Sequence, residues 1–308
     1  MKTIATTKIE EIENLNNLRL GCSIEHAIMK KQVLLTLVIA LGLLSVLLPV
    51  RQAAHAQGNT RKDFVPPLVF QAAGPTAASI QSTVDAFRAV PGFETNNGNN
   101  PPPLDRSGRR EINWDGGNPA ITATTPPVTP FTTFLTTRGS QFTTPGIGLS
   151  QVALSGLAGL FNNLTYEDIF SVFSASRLFT PVGSNITEAL FFVPGTNGRD
   201  PATVRGFGAV FTDIDQPDGS GPGKKKGNRG ASTLIEYFDA DGKLLFSSFV
   251  PASPGDGSLS FFGIVFDEPL IARVRITTGD TAPGPDDDVK QDIVMMDDFI
   301  YGEPQPLN

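Results

Sequence analysis

Two residue types that carry much of enzyme chemistry are nearly missing. The 308 residues hold two His and one Cys, and all three (Cys22, His26, His55) fall in the first 56. Those 56 have the layout of a secretory leader. Met29-Lys30-Lys31 is a basic start, Val33 to Val50 is almost wholly apolar, and Ala54-His55-Ala56 is a small-x-small cleavage pattern before Gln57. The expectation is a signal peptide cut after Ala56, with residues 1–28 as an extension ahead of the true start at Met29. Left uncleaved, the apolar run approaches the length of about 18 residues that crosses a bilayer. A membrane is a partner only in that case.

The expected mature chain, 57–308, therefore has no His and no Cys. Disulfides, cysteine nucleophiles and zinc sites of Cys and His are excluded. So is a Ser–His–Asp triad, because no imidazole is present to take the proton. About 250 residues bury enough apolar surface without disulfides. Positive charge is also scarce. Losing Lys2, Lys8, Arg19, Lys30, Lys31 and Arg51 leaves 18 basic residues, and losing Glu10, Glu11, Glu13 and Glu25 leaves 27 acidic ones, a formal net charge of −9. Nucleic acid and anionic membranes are poor partners for such a chain. Neutral sugars and divalent cations suit it.

What the chain has is phenylalanine and alternation. All 22 Phe lie after residue 56, as suits an aromatic-packed core. Five apolar runs crowd the last hundred residues: VRGFGAVFTDID, STLIEYFDADGKLLFSSFV, LSFFGIVF, LIARVRITTG and DIVMMDDFIY. Closely spaced strands with turns about every ten residues indicate a sandwich or barrel. In IARVRI, Ala272, Val274 and Ile276 face the core, and Arg273 and Arg275 face solvent. Asp239-Ala240-Asp241-Gly242 is a hairpin turn in which Gly242 supplies positive φ.

Upstream, Leu68-Val69-Phe70 anchors an extended leader, and Ile80, Val84 and Phe87 predict a short helix from about Ala77 to Val90, stopped by Pro91-Gly92. Residues 94–108 are turn formers. Glu111 to Asp115 alternates as a strand with Ile112 and Trp114 on one face. Phe131, Phe134 and Leu135 predict one helical turn ended by Arg138-Gly139. Gln141–Thr144, Ser176–Thr180 and Ile186–Val193 have strand character. Thr165 and Asp168 form a capping box over a short helix burying Ile169, Phe170 and Phe173. The expected organisation is 1–56 extension and signal, 57–110 leader, helix and Pro/Asn-rich loop, and 111–308 a jelly-roll-like antiparallel β-sandwich.

Three groups stand out chemically. Asp213, Asp215 and Asp218 alternate through a loop and offer the oxygens a Ca²⁺ needs. Their D-x-D-x-x-D-G spacing is one residue off the regular calcium loop, and a strand end entering a solvated turn explains it as well. Asp297 and Asp298 sit in a strand otherwise apolar on both faces, with Ile293, Met295, Phe299 and Tyr301 on one and Val294, Met296 and Ile300 on the other. A buried carboxylate needs a partner: Arg205, Arg177, backbone N–H groups, or a cation that Asp298 would share with Asp213 and Asp215. Finally, Trp114 flanked by Asn113 and Asp115 has the composition of a sugar site, a ring to stack and polar tips to fix hydroxyls. Core packing beside Ile112 is the competing role.

The segments GRREINWDGG, SNITEALFFVPGT, VRGFGAVFTDID, EYFDADGKLLF, SFFGIVF, ARVRITTGD and DIVMMDDFIYGEPQ resemble a group of secreted bacterial β-sandwich proteins. Some of these are similar to extracellular proteins with a Pro-Glu-Pro sorting tail. Gly302-Glu303-Pro304 echoes that tail, with no apolar segment or basic tail after it. The resemblance covers most of 65–304. It implies a jelly-roll-like sandwich and an extracytoplasmic location, and supplies no catalytic residue.

Three functions compete. One is a secreted, non-catalytic module that binds an extracellular polysaccharide or other cell-surface polymer, with Ca²⁺ as its one candidate cofactor. The second is a structural envelope or matrix component. The third is a secreted glycosidase using paired carboxylates, for which Glu236, outward beside Tyr237, is the first candidate.

Overall fold

The protein is described from a computed structural model covering residues 65–98, 107–118, 121–215, 233–285 and 291–307. The leader 1–56 and Asp218 lie outside the described residues. Asp63–Asn308 forms one compact unit. The segment 57–110, set apart in the sequence analysis, contributes a strand and a helix to it.

The strands are β1 (Leu68–Gly74), β2 (Arg109–Ile112), β3 (Ser140–Thr143), β4 (Gly148–Ala153), β5 (Arg177–Val182), β6 (Ile186–Phe191), β7 (Ala202–Thr203), β8 (Gly206–Thr212), β9 (Leu234–Phe238), β10 (Leu244–Phe249), β11 (Leu259–Val265), β12 (Arg273–Thr277), β13 (Met295–Gly302) and β14 (Gln305–Pro306). The helices are α1 (Ala77–Arg88), α2 (Leu135–Arg138), α3 (Leu154–Phe161) and α4 (Tyr166–Ile169). The fold is mainly β and antiparallel. One sheet runs β1-β11-β8-β13-β5-β4, with β2 also on β13; the other runs β10-β9-β12-β6-β3.

Eight of these strands pair in nested order. β5 pairs with β13, β6 with β12, β8 with β11, and β9 with β10. The nest then folds over, bringing β13 against β8 and β12 against β9. This is the winding of a jelly-roll-like sandwich. Phe142, Phe191, Phe207, Phe211, Tyr237 and Phe299 are among the residues that fill the space between the sheets. Alternation explains the arrangement: Ile235, Tyr237, Val274 and Ile276 are buried, and Glu236, Arg273 and Arg275 between them are not.

The outer face of the larger sheet is also covered. Ile80, Val84 and Phe87 of α1 pack on Val210, Phe261 and Val265. Glycines let the helix sit close. A Cβ on Gly263 would lie 2.8 Å from the Phe87 ring, and one on Gly208 would lie 2.8 Å from Phe261. Beyond α1, Leu157, Phe161 and Tyr166 of α3 and α4 pack on Val152, Leu178 and Met295.

Several local expectations change. Thr165 makes no side-chain cap to α4. Asn163 Oδ1 does the anchoring instead, accepting from the Thr165 N–H at 3.0 Å and the Thr165 hydroxyl at 2.7 Å. The strand expected through Asp115 stops at Ile112, because Trp114 takes the left-handed φ of 63°. The faces of β13 also differ. Met296 lies opposite Phe211 and Phe299 opposite Ala209, so Asp297 and Asp298 together face one residue, Val210. This β-bulge shifts the side-chain phase. Val294, Met296, Phe299 and Tyr301 all enter the inter-sheet core, and Ile293, Met295 and Ile300 face outward under the helices.

Candidate functional site

Trp114 is not a sugar platform. Its ring is fully buried, stacked on Phe179 at 3.8 Å and met edge-on by Phe299 at 5.1 Å and Phe142 at 5.4 Å. The left-handed turn at this residue swings the ring inward, and its Nε1–H donates to the Asp297 carbonyl at 2.9 Å. Asn113 is exposed and donates to Asp115 Oδ2 at 3.0 Å. Asp115 is itself occupied: its Oδ1 accepts from the N–H groups of Ser176 and Arg177. The trio predicted to bind ligand instead ties β2 to the start of β5.

The bulge places Asp297 and Asp298 side by side and buried. The Phe173 N–H donates to Asp297 Oδ2 at 2.6 Å, and Ser174 Oγ–H to Asp298 Oδ1 at 2.6 Å. The cation at Asp298 is Arg88 of α1 at 3.3 Å, not Arg205 or Arg177. Arg177 serves the carbonyls of Gly116, Asn118 and Ile121, and Arg205 those of Pro91 and Phe266. Arg88 also grips Glu111 at 2.9 Å. Burial, then the Asp298 charge, pushes the Asp297 carboxyl well above the usual range. Burial raises Asp298 too, opposed by bonds from Ser174 and Asp297 and by Arg88. Both carboxyls are buried and bound to Phe173, Ser174 and Arg88 rather than open to a substrate. This pair joins α1, β2 and the 171–177 segment to β13.

Of the proposed calcium ligands, Asp218 lies outside the described residues, and the other three have protein partners. Asp298 belongs to the bulge network. Asp213 Oδ1 accepts from the Gly257 N–H at 3.3 Å, and Asp215 Oδ1 from the Gly255 N–H at 2.8 Å. Among the described residues no group of three or more His, Cys, Asp or Glu is arranged to hold a metal ion. Asp213 is 6% exposed. Burial, then the nearby Asp215 charge, pushes its carboxyl up to about 8, with Asp256 and Asp292 adding and the Gly257 N–H opposing.

That shift has a sign. Between the unfolded value near 3.9 and about 8 the folded state binds the extra proton, so stability falls as pH rises through this window. Thermal or urea unfolding should show higher stability at pH 5 than at pH 8, with Asp213 contributing at most ~1.4 kcal/mol per pH unit. Asp213→Asn should flatten the slope. An unchanged slope in the variant would place the proton elsewhere.

Among the described residues, one large surface remains uncovered: the outer face of the five-stranded sheet. The helical clusters lie on the other sheet, and the outward residues here are half-buried or exposed. Registers arrange them in cross-strand rows. One row runs Leu244, Phe238, Arg273, Leu190 and Gln141. The next runs Ser247, Glu236, Arg275, Glu188 and Thr143. Arg273 lies over the Phe238 ring at 3.9 Å and pairs with Glu188 at 2.7 Å. Two Arg and two Glu cancel in charge, and hydroxyl, amide and aromatic groups surround them. Sequence alternation marked Glu236, Arg273 and Arg275 as outward but could not show that they share two rows. Comparison with family models, curated proteins and solved structures finds no match for the chain.

Proposed function

We propose that the protein is a secreted, non-catalytic β-sandwich that binds a neutral extracellular polymer, a polysaccharide chain above all, across the open face of its five-stranded sheet. The observation that carries this reading is the charge-balanced pair of rows around Arg273 and Arg275. A neutral, hydroxyl-rich chain can use both donors and acceptors there, and the apolar Phe238 and Leu190 can take its C–H faces. The jelly-roll-like winding adds only analogy.

A glycan array followed by calorimetry tests the proposal. Neutral polysaccharides should bind, and Phe238→Ala should weaken binding at least about tenfold, the ~1.4 kcal/mol expected of one aromatic contact. A blank array, or binding indifferent to Phe238→Ala, would remove the proposal. One observation favours hydrolysis as a second reading. Glu188 and Glu236 flank Arg275, two strand spacings or about 9.5 Å apart, at the upper limit for an inverting carboxylate pair. Reducing-sugar release that disappears in Glu236→Gln would select it.

A further inference from the structure

The two sides of the sandwich are finished differently. On one, the 121–131 segment covers both terminal strands: Phe131 bridges Phe142 of β3, and Val128 and Ala123 bridge Leu149 and Val152 of β4. On the other, β1 and β10 end their sheets, and among the described residues neither has an outer partner. β10 is interrupted by a register shift between Leu244 and Phe246, a device that discourages further pairing. Within its own length β1 has no charge, proline or bulge to discourage pairing. Its seven residues pair with β11 without a shift, and LVFQAAG contains no charge and no proline. Leu68 and Val69 are 59% and 45% exposed.

We infer that β1 docks antiparallel on β1 of a second copy of this chain, joining the two larger sheets edge to edge. The strand's own sequence favours that occupant. A two-fold centred on Gln71 sets Leu68 opposite Gly74, Val69 opposite Ala73 and Phe70 opposite Ala72, large against small in every pair. Gln71 meets its own copy, where two side-chain amides can exchange hydrogen bonds. An isologous contact pairs residue i with residue j and j with i, and near its axis residues meet their own copies, so a charge-free strand avoids the like-charge repulsion a charged one would meet there. Pro66, Pro67 and Pro75 bound the edge on both sides, which limits slippage.

The test uses the purified protein with Cys22→Ser, so that an introduced thiol is the only one. Residues facing each other across an antiparallel pair have Cα atoms about 4.5–5.5 Å apart, within disulfide range. With diamide as the oxidant taking two thiol hydrogens, Gln71→Cys should give a covalent dimer, and Leu244→Cys on the β10 edge should not. Sedimentation should show a concentration-dependent dimer that Val69→Lys abolishes. Monomer at every concentration up to ~1 mM, a dimer untouched by Val69→Lys, or equal cross-linking at Leu244 would each overturn the inference.

Discussion

Trp114→Ala should destabilise the protein by about 3–5 kcal/mol, measured as a fall in unfolding free energy by urea denaturation. The indole is fully buried and central to an aromatic cluster that includes Phe131, Phe134, Phe142, Phe179 and Phe299. Alanine leaves a cavity that close-packed rings cannot collapse to fill. It also orphans the Asp297 carbonyl, which the bulge frees from the ladder and which Trp114 Nε1 satisfies at 2.9 Å. Trp114→Phe separates the two effects: it keeps most of the packing and loses the bond, at a cost of about 1–3 kcal/mol. If Trp114→Ala cost less than about 1 kcal/mol, the ring would not be the keystone placed here.

Arg110→Ala should cost about as much, ~3–5 kcal/mol. Arg110 is fully buried. Its Nε and Nη2 bind Glu303 at 2.6 and 2.9 Å, and its Nη1 donates to the Asn96 carbonyl at 2.7 Å. Asn96 Nδ2 completes the shell on Glu303 at 2.9 Å. Removing the guanidinium strands a buried carboxylate in low dielectric, and that penalty, rather than the worth of the pair, sets the size of the loss. Replacing both partners, as in Arg110→Met with Glu303→Leu, should recover most of it. A double variant no more stable than Arg110→Ala would show that the pair contributes through packing. The interaction also locates Glu303 of Gly302-Glu303-Pro304 inside the fold, where it fastens the chain's end to β2.

The strands from β8 to β12 were legible because β9 and β12 alternate, β8 and β11 are short, fully buried apolar runs, and their turns are marked. Gly242, at φ 78°, closes the β9–β10 hairpin as expected, with Asp239 Oδ1 accepting from the Asp241 and Lys243 N–H groups. The helix at Ala77–Arg88 was legible from its 3.6-residue spacing. Leu154–Phe161 was not, because LSGLAGLF has no polar face to set a period. Alternation across DIVMMDDFIY gave the wrong faces for its second half, because a bulge shifts phase without a residue-type signal. Trp114 misled for a related reason: composition suggested a ligand platform, and a single left-handed residue turned it into the core. The cation at Asp298 was also out of reach, since Arg88 is 210 residues away in sequence. Pairing registers, which build the Glu236–Arg275–Glu188 row, are a property of the folded sheets.

The most direct measurement is hydrogen exchange of the protein with and without a neutral polysaccharide found to bind it. Binding on the open sheet face predicts slowed exchange in 186–190, 234–238 and 273–277, with the loops around Asn113–Asp115 and Asp213–Asp215 unchanged. Protection confined to those loops, or spread with no change in β6, β9 and β12, would contradict it.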